Sequence, residues 1–168
     1  MRRMTHFFEN WGPTLVAAGG VTVVAVAGAV LTELGPWYYG LRKPSWQPPD
    51  WLFGPAWTLI FILEATASVL AWNRLHAAPA MFVLVGLLVV NGVLNVVWSL
   101  LFFKNKRPDF ALREVGFLWL SILAPMLVLF AAVGWVGVLM LPYLLWVSFA
   151  AFLNWTIVRL NAPFGGVV

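Results

Sequence analysis

The sequence predicts an all-α integral membrane protein, a bundle of five transmembrane helices with a Pro/Trp-rich loop joining the first two. The first observation behind this is composition. Apolar residues make up 62% of the 168 positions and charged residues 10%, against about 45–50% and about 25% in a soluble domain; the mean hydropathy is +0.91. The second is spacing, because charged and helix-breaking residues recur at intervals near the roughly 20 residues that a helix needs to cross the hydrocarbon core. The third is the run from Val115 to Val158, which contains no Asp, Glu, Lys or Arg and is too long for one crossing. Little chain is left over for a soluble domain, so one membrane domain over 1–168 is expected.

The first span is placed at residues 10–33. Asn10 to Thr32 carries no charge, and Glu33 with Gly35-Pro36 stops it. Met1-Arg2-Arg3-Met4 ahead of an apolar run containing Ala25-Val26-Ala27 also fits a signal peptide. The run continues past that point at full hydrophobicity, which favours a span, and Arg2-Arg3 lacks the flanks of a twin-arginine signal. Residues 35–50 form the loop. Pro44, Pro48, Pro49 and Pro55 fix φ and remove donors, which predicts a stiff, extended connection over most of Trp37 to Thr58. The second span, 51–73, is interrupted only by Glu64 and closes before Arg74, His76 and Pro79.

The third span, 80–103, ends at Lys104-Asn105-Lys106-Arg107-Pro108. Asp109 is the expected N-cap of the fourth, 109–132, with Arg113 and Glu114 in its first turns and a kink expected at Pro125. Gly134-Trp135-Val136-Gly137 is read as a tight turn into the fifth span, 136–160. Five crossings put the termini on opposite sides. The loop side then carries Arg42, Lys43, Lys104, Lys106, Arg107, Arg113 and Arg159, and the other side Arg2, Arg3 and Arg74. By the positive-inside rule the N-terminus is expected outside, with the Pro/Trp loop and the C-terminus cytoplasmic. Against this, Arg2 and Arg3 adjoin the first span, which often sets orientation.

The absent residue types narrow the chemistry. With no cysteine there are no disulfides or thiolate ligands. His6 lies in the N-terminal tail and His76 between the second and third spans, so no imidazole is expected at mid-bilayer. No metal-ligand cluster, paired carboxylates or nucleophile with an adjacent base is visible, so no metal is expected and no cofactor is required. The net charge of +4 comes from cations scattered at span ends, as snorkelling and orientation demand, which points to membrane lipid as a partner and not to nucleic acid.

Polar residues inside the spans are informative because lipid cannot satisfy them. Glu64 lies mid-span, where an acidic side chain costs on the order of 2.5–3.5 kcal/mol. At helical spacing it shares a stripe with Trp57, Phe61, Ser68 and Trp72. Asn91, Asn95, Trp98 and Phe102 form a second stripe on the third span, and Trp146, Ala150 and Asn154 a third on the fifth. One reading is interhelical glue, with Glu64 bonding a neighbouring Asn or Ser. The other is a pocket of π-surface with a few polar anchors, the usual composition of a small-molecule site. Gly86 and Gly92 on the third span would allow close helix approach in a homodimer.

The order Trp37-Tyr38, Leu41, Lys43-Pro44, Trp46, Pro48-Pro49, Trp51, Phe53-Gly54-Pro55, Trp57-Thr58 resembles the signature of the TspO/MBR family, the tryptophan-rich sensory proteins and translocator proteins. Asn91, Asn95 and Trp98 with Phe102-Phe103, and Pro142-Tyr143 through Trp146, Phe149-Ala150 and Leu153-Asn154, resemble its later motifs. The resemblance implies a five-helix bundle, commonly homodimeric, with a pocket beneath the loop for porphyrins and other hydrophobic ligands. Carried over residue by residue, that pocket uses Trp37, Tyr38, Pro48, Trp57, Asn91, Asn95, Trp146 and Ala150. Phe61 and Trp98 join them from the stripes, and Arg42 and Lys43 are placed at the mouth for ligand carboxylates. The resemblance also implies two alternatives to a receptor: light- and oxygen-dependent porphyrin breakdown, with Trp57 and Trp146 as its redox groups, and transport of the ligand. The family's sterol pattern wants Tyr where Leu153, Trp155 and Arg159 supply Trp, which argues against sterol as a ligand.

Overall fold

Each crossing is helical, since in lipid every backbone N–H and C=O must be paired within the segment. The computed structural model describes residues 2–75 and 79–164, with side chains from Trp11 onward. The helices are α1 (Arg2–Leu31), α2 (Pro36–Gly40), α3 (Phe53–Leu75), α4 (Pro79–Ser99), α5 (Pro108–Val133) and α6 (Leu141–Asn161), and no strand occurs among the described residues. The apolar stretch Pro108–Asn161 is 54 residues long, far more than one crossing takes, and Gly134 divides it. The chain is therefore a multi-pass membrane protein with five spanning helices: α1, α3, α4, α5 and α6. His76 and the side chains of Arg2, Arg3 and His6 lie outside the described residues.

The core sits between α3, α4, α5 and α6, where Ile60, Ala67, Leu84, Leu118, Ile122, Leu129, Tyr143 and Val147 are buried. An indole–hydroxyl bond from Trp119 Nε1 to Ser148 Oγ, 2.8 Å, ties α5 to α6. Helix α1 lies outside this core and approaches α4 through glycine. A Cβ at Gly92 would come within 2.9 Å of Val24, so Gly92 serves packing within the chain, whereas Gly86 has open space beside it.

Several boundaries differ from the expectation, each for a local reason. Helix α1 starts at Arg2 and not near residue 10, since nothing in residues 2–9 breaks a helix. Asp109 is not the N-cap. Pro108 occupies the first helical position and holds the preceding residue out of helical geometry, so the cap falls at Arg107 without a side-chain bond. Asp109 instead receives two bonds from the Arg107 guanidinium, at 2.8 and 2.6 Å. The third span does not stop at a simple break. It continues as a π-helical turn over Leu100–Lys104, closed by Asn105 N–H to Leu100 O at 2.8 Å. Helix α5 runs unbroken through the buried Pro125.

The reversal after α5 is at Gly134, with φ 67° and ψ −124°, a region open in practice only to glycine. A 3-10 segment, Gly134–Met140, follows and buries Val136, Gly137 and Met140, so the fifth spanning helix begins at Leu141 and not at 136. Gly137 is held against the Phe130 ring, which an added Cβ would meet at 2.5 Å. The Pro/Trp loop is also less extended than proline content predicts. Pro36 seeds the one-turn helix α2, which buries Tyr38, because proline at the first helical position costs no hydrogen bond. A turn closed by Gln47 N–H to Pro44 O, 3.0 Å, follows. Then Pro49 leads into a 3-10 turn at Asp50–Leu52 that feeds α3, whose first turn accommodates Pro55.

Candidate functional site

The loop is a lid fastened at three points. Asn161, at the end of α6, accepts from the Arg42 backbone N–H at 2.7 Å and donates to the Arg42 carbonyl at 2.8 Å. Within the lid, the Tyr38 hydroxyl donates to Asp50 Oδ1 at 3.1 Å and accepts from Gln47 Nε2 at 3.2 Å. The third point is aromatic. Trp46 stacks on Phe152 at 5.1 Å and meets Phe149 edge-on at 5.9 Å, while Trp37 meets Phe102 edge-on at 6.2 Å and Tyr38 lies 5.8 Å from Phe103. The lid thus rests on the end of α4 and on one face of α6.

Burial, and next the charge of Asp50, pushes the Tyr38 phenol up to about 12. The neutral phenol is the form the fold holds, so its contribution is complete below pH 10 and is lost as pH rises through about 12. We expect the lid tryptophans to change emission over that interval. Tyr38→Phe should remove the step, and a step of unchanged size in that variant would show that Tyr38 does not control it. The Lys43 ammonium sits 3.3 Å above the Tyr38 ring, and burial pulls its pKa down. Of the two expected mouth cations, Lys43 is therefore spent largely inside the lid. The Arg42 side chain is exposed.

Beneath the lid the wall is aromatic. Trp57 stacks on Phe61 at 5.4 Å and meets Tyr143 edge-on at 5.7 Å. Trp146 meets Phe53 edge-on at 5.5 Å and lies 5.9 Å from Phe149. Trp98 stacks on Phe102 at 5.1 Å. Pro48 and Ala150 are half-buried at the same end of the bundle. The asparagines lie deeper and bond between helices: Asn95 Nδ2 donates to the Tyr143 hydroxyl at 2.9 Å and Asn91 Nδ2 to Ser121 Oγ at 3.0 Å. Asn154, with its amide oriented so that donor meets acceptor, bonds Pro108 O and Leu112 N–H, both at 3.1 Å. The asparagines therefore do act as glue, and the side-chain oxygens of Asn91 and Asn95 take no hydrogen bond among the described residues.

The stripe on α3 divides. Trp57 and Phe61 turn to the lid half, while Glu64, Ser68 and Trp72 line a separate groove against α1 and α4. Ser68 Oγ donates to the Glu64 backbone carbonyl at 2.8 Å, and no side-chain partner meets the Glu64 carboxylate among the described residues, contrary to the expected bond to Asn or Ser. Asn91 also lines that groove; the other expected site residues do not.

Three buried polar groups in the lid half have no partner among the described residues: Trp98 Nε1, Gln47 Oε1 and the Glu114 carboxylate. None of these lacks was visible in the sequence. Tyr143, the link between Trp57 and Asn95, was also left out of the expected site. It precedes Trp146 by three residues, and extending that stripe one turn backward would have found it.

The sequence model of the TspO/MBR family matches residues 14–160. The chain belongs to the TspO/MBR family. Relatives agree over nearly the same extent. A tryptophan-rich protein TspO of Chlorobaculum tepidum is 40% identical over 140 residues, 82% of this chain and 89% of that protein. A tryptophan-rich sensory protein of Cereibacter sphaeroides is 36% identical over 152 residues, 90% and 93% of the two chains. The translocator protein of Homo sapiens is 30% identical over 131 residues, 77% and 78%. This TspO/MBR chain thus shares its family with proteins named as sensory and as translocator proteins.

Proposed function

We propose that this TspO/MBR protein is a membrane receptor that binds a tetrapyrrole of the protoporphyrin type beneath the lid. One observation carries the reading: among the described residues a buried donor, Trp98 Nε1, and buried acceptors, Gln47 Oε1 and the Glu114 carboxylate, have no partner, in the same half of the bundle as the braced rings of Trp37, Trp57 and Trp146. Buried polar atoms are normally satisfied. A flat π-ligand covers those rings, each stacked indole adding about 0.5–1.5 kcal/mol beyond area burial. The core nitrogens of a porphyrin, which point into the ring centre, can meet a polar side chain only from above or below the ring plane.

The ligand's carboxylates belong at the wet edge, where Arg42 is free to meet them by charge-assisted bonds while Lys43 lies on Tyr38. Arg42→Gln should weaken protoporphyrin severalfold in a Trp-fluorescence titration and leave the dimethyl ester unchanged. Equal weakening of both would remove Arg42 from the mouth. The lid and C-terminus are assigned to the cytoplasmic side and the N-terminus to the outside. The exposed row Val83, Gly86 and Val90 on α4 is the face offered to a second copy in a homodimer. Sterol is not included, since Trp155 stands where the family's sterol pattern wants Tyr.

A second reading, photo-oxidative porphyrin breakdown, is favoured by the edge contact of Trp57 with Tyr143. It sets an oxidisable phenol next to an indole at the ring-binding wall. Bleaching of bound porphyrin under light at the same rate in wild type and Trp57→Phe would exclude it.

A further inference from the structure

We propose that the groove between α1, α3 and α4 is a second binding site, made for the amino group and apolar body of an amphiphilic amine. The groove encloses about 1360 Å³ and is lined by Val16, Gly20, Trp72, Phe82 and Val89, with Glu64 and Asn91 among its polar residues. It is distinct from the lid site. On α3 it uses Glu64, Ser68 and Trp72, whereas the lid site uses Trp57 and Phe61. Its rim is lipid-facing, since Val16 and Phe82 are 77% and 72% exposed.

Glu64 makes it more than a seam between helices. The side chain is 8% exposed, lines the groove, and has no hydrogen bond or ion pair to its carboxylate among the described residues. Ser68 Oγ is committed to a backbone carbonyl and the Asn91 amide nitrogen to Ser121. What remains without a partner among the described residues is mainly acceptor, the Glu64 carboxylate and the Asn91 side-chain oxygen, beside the second N–H of the Asn91 amide. Among the described residues no Lys, Arg or His lines the groove. A fatty acid would set carboxylate against carboxylate, and an alcohol would supply one donor. An ammonium supplies three donors and the opposite charge, and a charge-assisted bond is roughly twice as strong as a neutral one. The glycines and alanines of α1, Gly12, Ala17, Gly20 and Ala27, leave the wall smooth enough for a chain or ring to lie along it.

The test uses the whole protein in phosphatidylcholine nanodiscs and a photoreactive dodecylamine, with labelled residues mapped by mass spectrometry. We expect saturable labelling of α1 and α4 along the groove, competed at least about tenfold better by dodecylamine than by dodecanol, and not by dodecanoate. Glu64→Gln should weaken the apparent affinity about tenfold. Val89→Trp, which fills the groove without touching the carboxylate, should abolish labelling if Glu64→Gln fails to fold. Unsaturable labelling, equal competition by the alcohol, unchanged affinity in Glu64→Gln or persistent labelling in Val89→Trp would each overturn the proposal. So would crosslinking of two chains through Val89, which would give the groove to a second copy. None of these outcomes depends on the tetrapyrrole reading.

Discussion

Replacing Trp57 and Trp146 together by alanine should cost protoporphyrin at least about a hundredfold in Kd. The two indoles stand on different helices, α3 and α6, and each is braced by other rings: Trp57 by Phe61 and Tyr143, Trp146 by Phe53 and Phe149. Braced aromatic anchors of this kind commonly lose about 2 kcal/mol or more on truncation, and about 1.4 kcal/mol is tenfold. The single variants should each lose about 30-fold, and phenylalanine at either position should restore most of it, since stacking and not the indole N–H carries the term. An unchanged Kd in the double variant would place the ring elsewhere.

The second large effect concerns stability. Glu114→Leu should raise the thermal midpoint, because Glu114 is 9% exposed and neither carboxylate oxygen has a partner among the described residues. Leaving such a group buried costs about 1–3 kcal/mol, and leucine favours lipid and helix alike. If the ligand satisfies Glu114, the same variant should bind protoporphyrin more weakly while melting higher, the usual exchange of stability for a functional polar group. A variant that melts lower would mean that the carboxyl has a structural partner.

Much of the fold was legible because lipid imposes few choices. Uncharged runs of spanning length can only be helices, and the break at Gly134 was required by arithmetic. The boundaries depended on events that no periodicity carries. Pro108 moves a cap from Asp109 to Arg107, the chain takes a π-turn after Ser99, and the Phe130 ring holds Gly137 in a 3-10 segment that delays α6 to Leu141. In the site, helical spacing put Trp57 beside Phe61, and the two rings stack; it also put Asn91 beside Asn95, which bond Ser121 and Tyr143 on different helices. Spacing could not tell which helix each face meets, so one stripe on α3 turned out to serve two places. Long-range pairings such as Arg42 with Asn161, or Lys43 on Tyr38, leave no mark on the local sequence. For the same reason Lys43 read as a mouth cation when its charge lies on an aromatic ring.

The most direct test of the central claim is titration of purified wild-type protein in lipid nanodiscs with protoporphyrin, following the ligand's main absorbance band together with Trp emission. A receptor with one site beneath the lid gives a shifted band and quenched emission that saturate together at one porphyrin per chain. A band that grows without saturation, and at the same rate in empty nanodiscs, would contradict it.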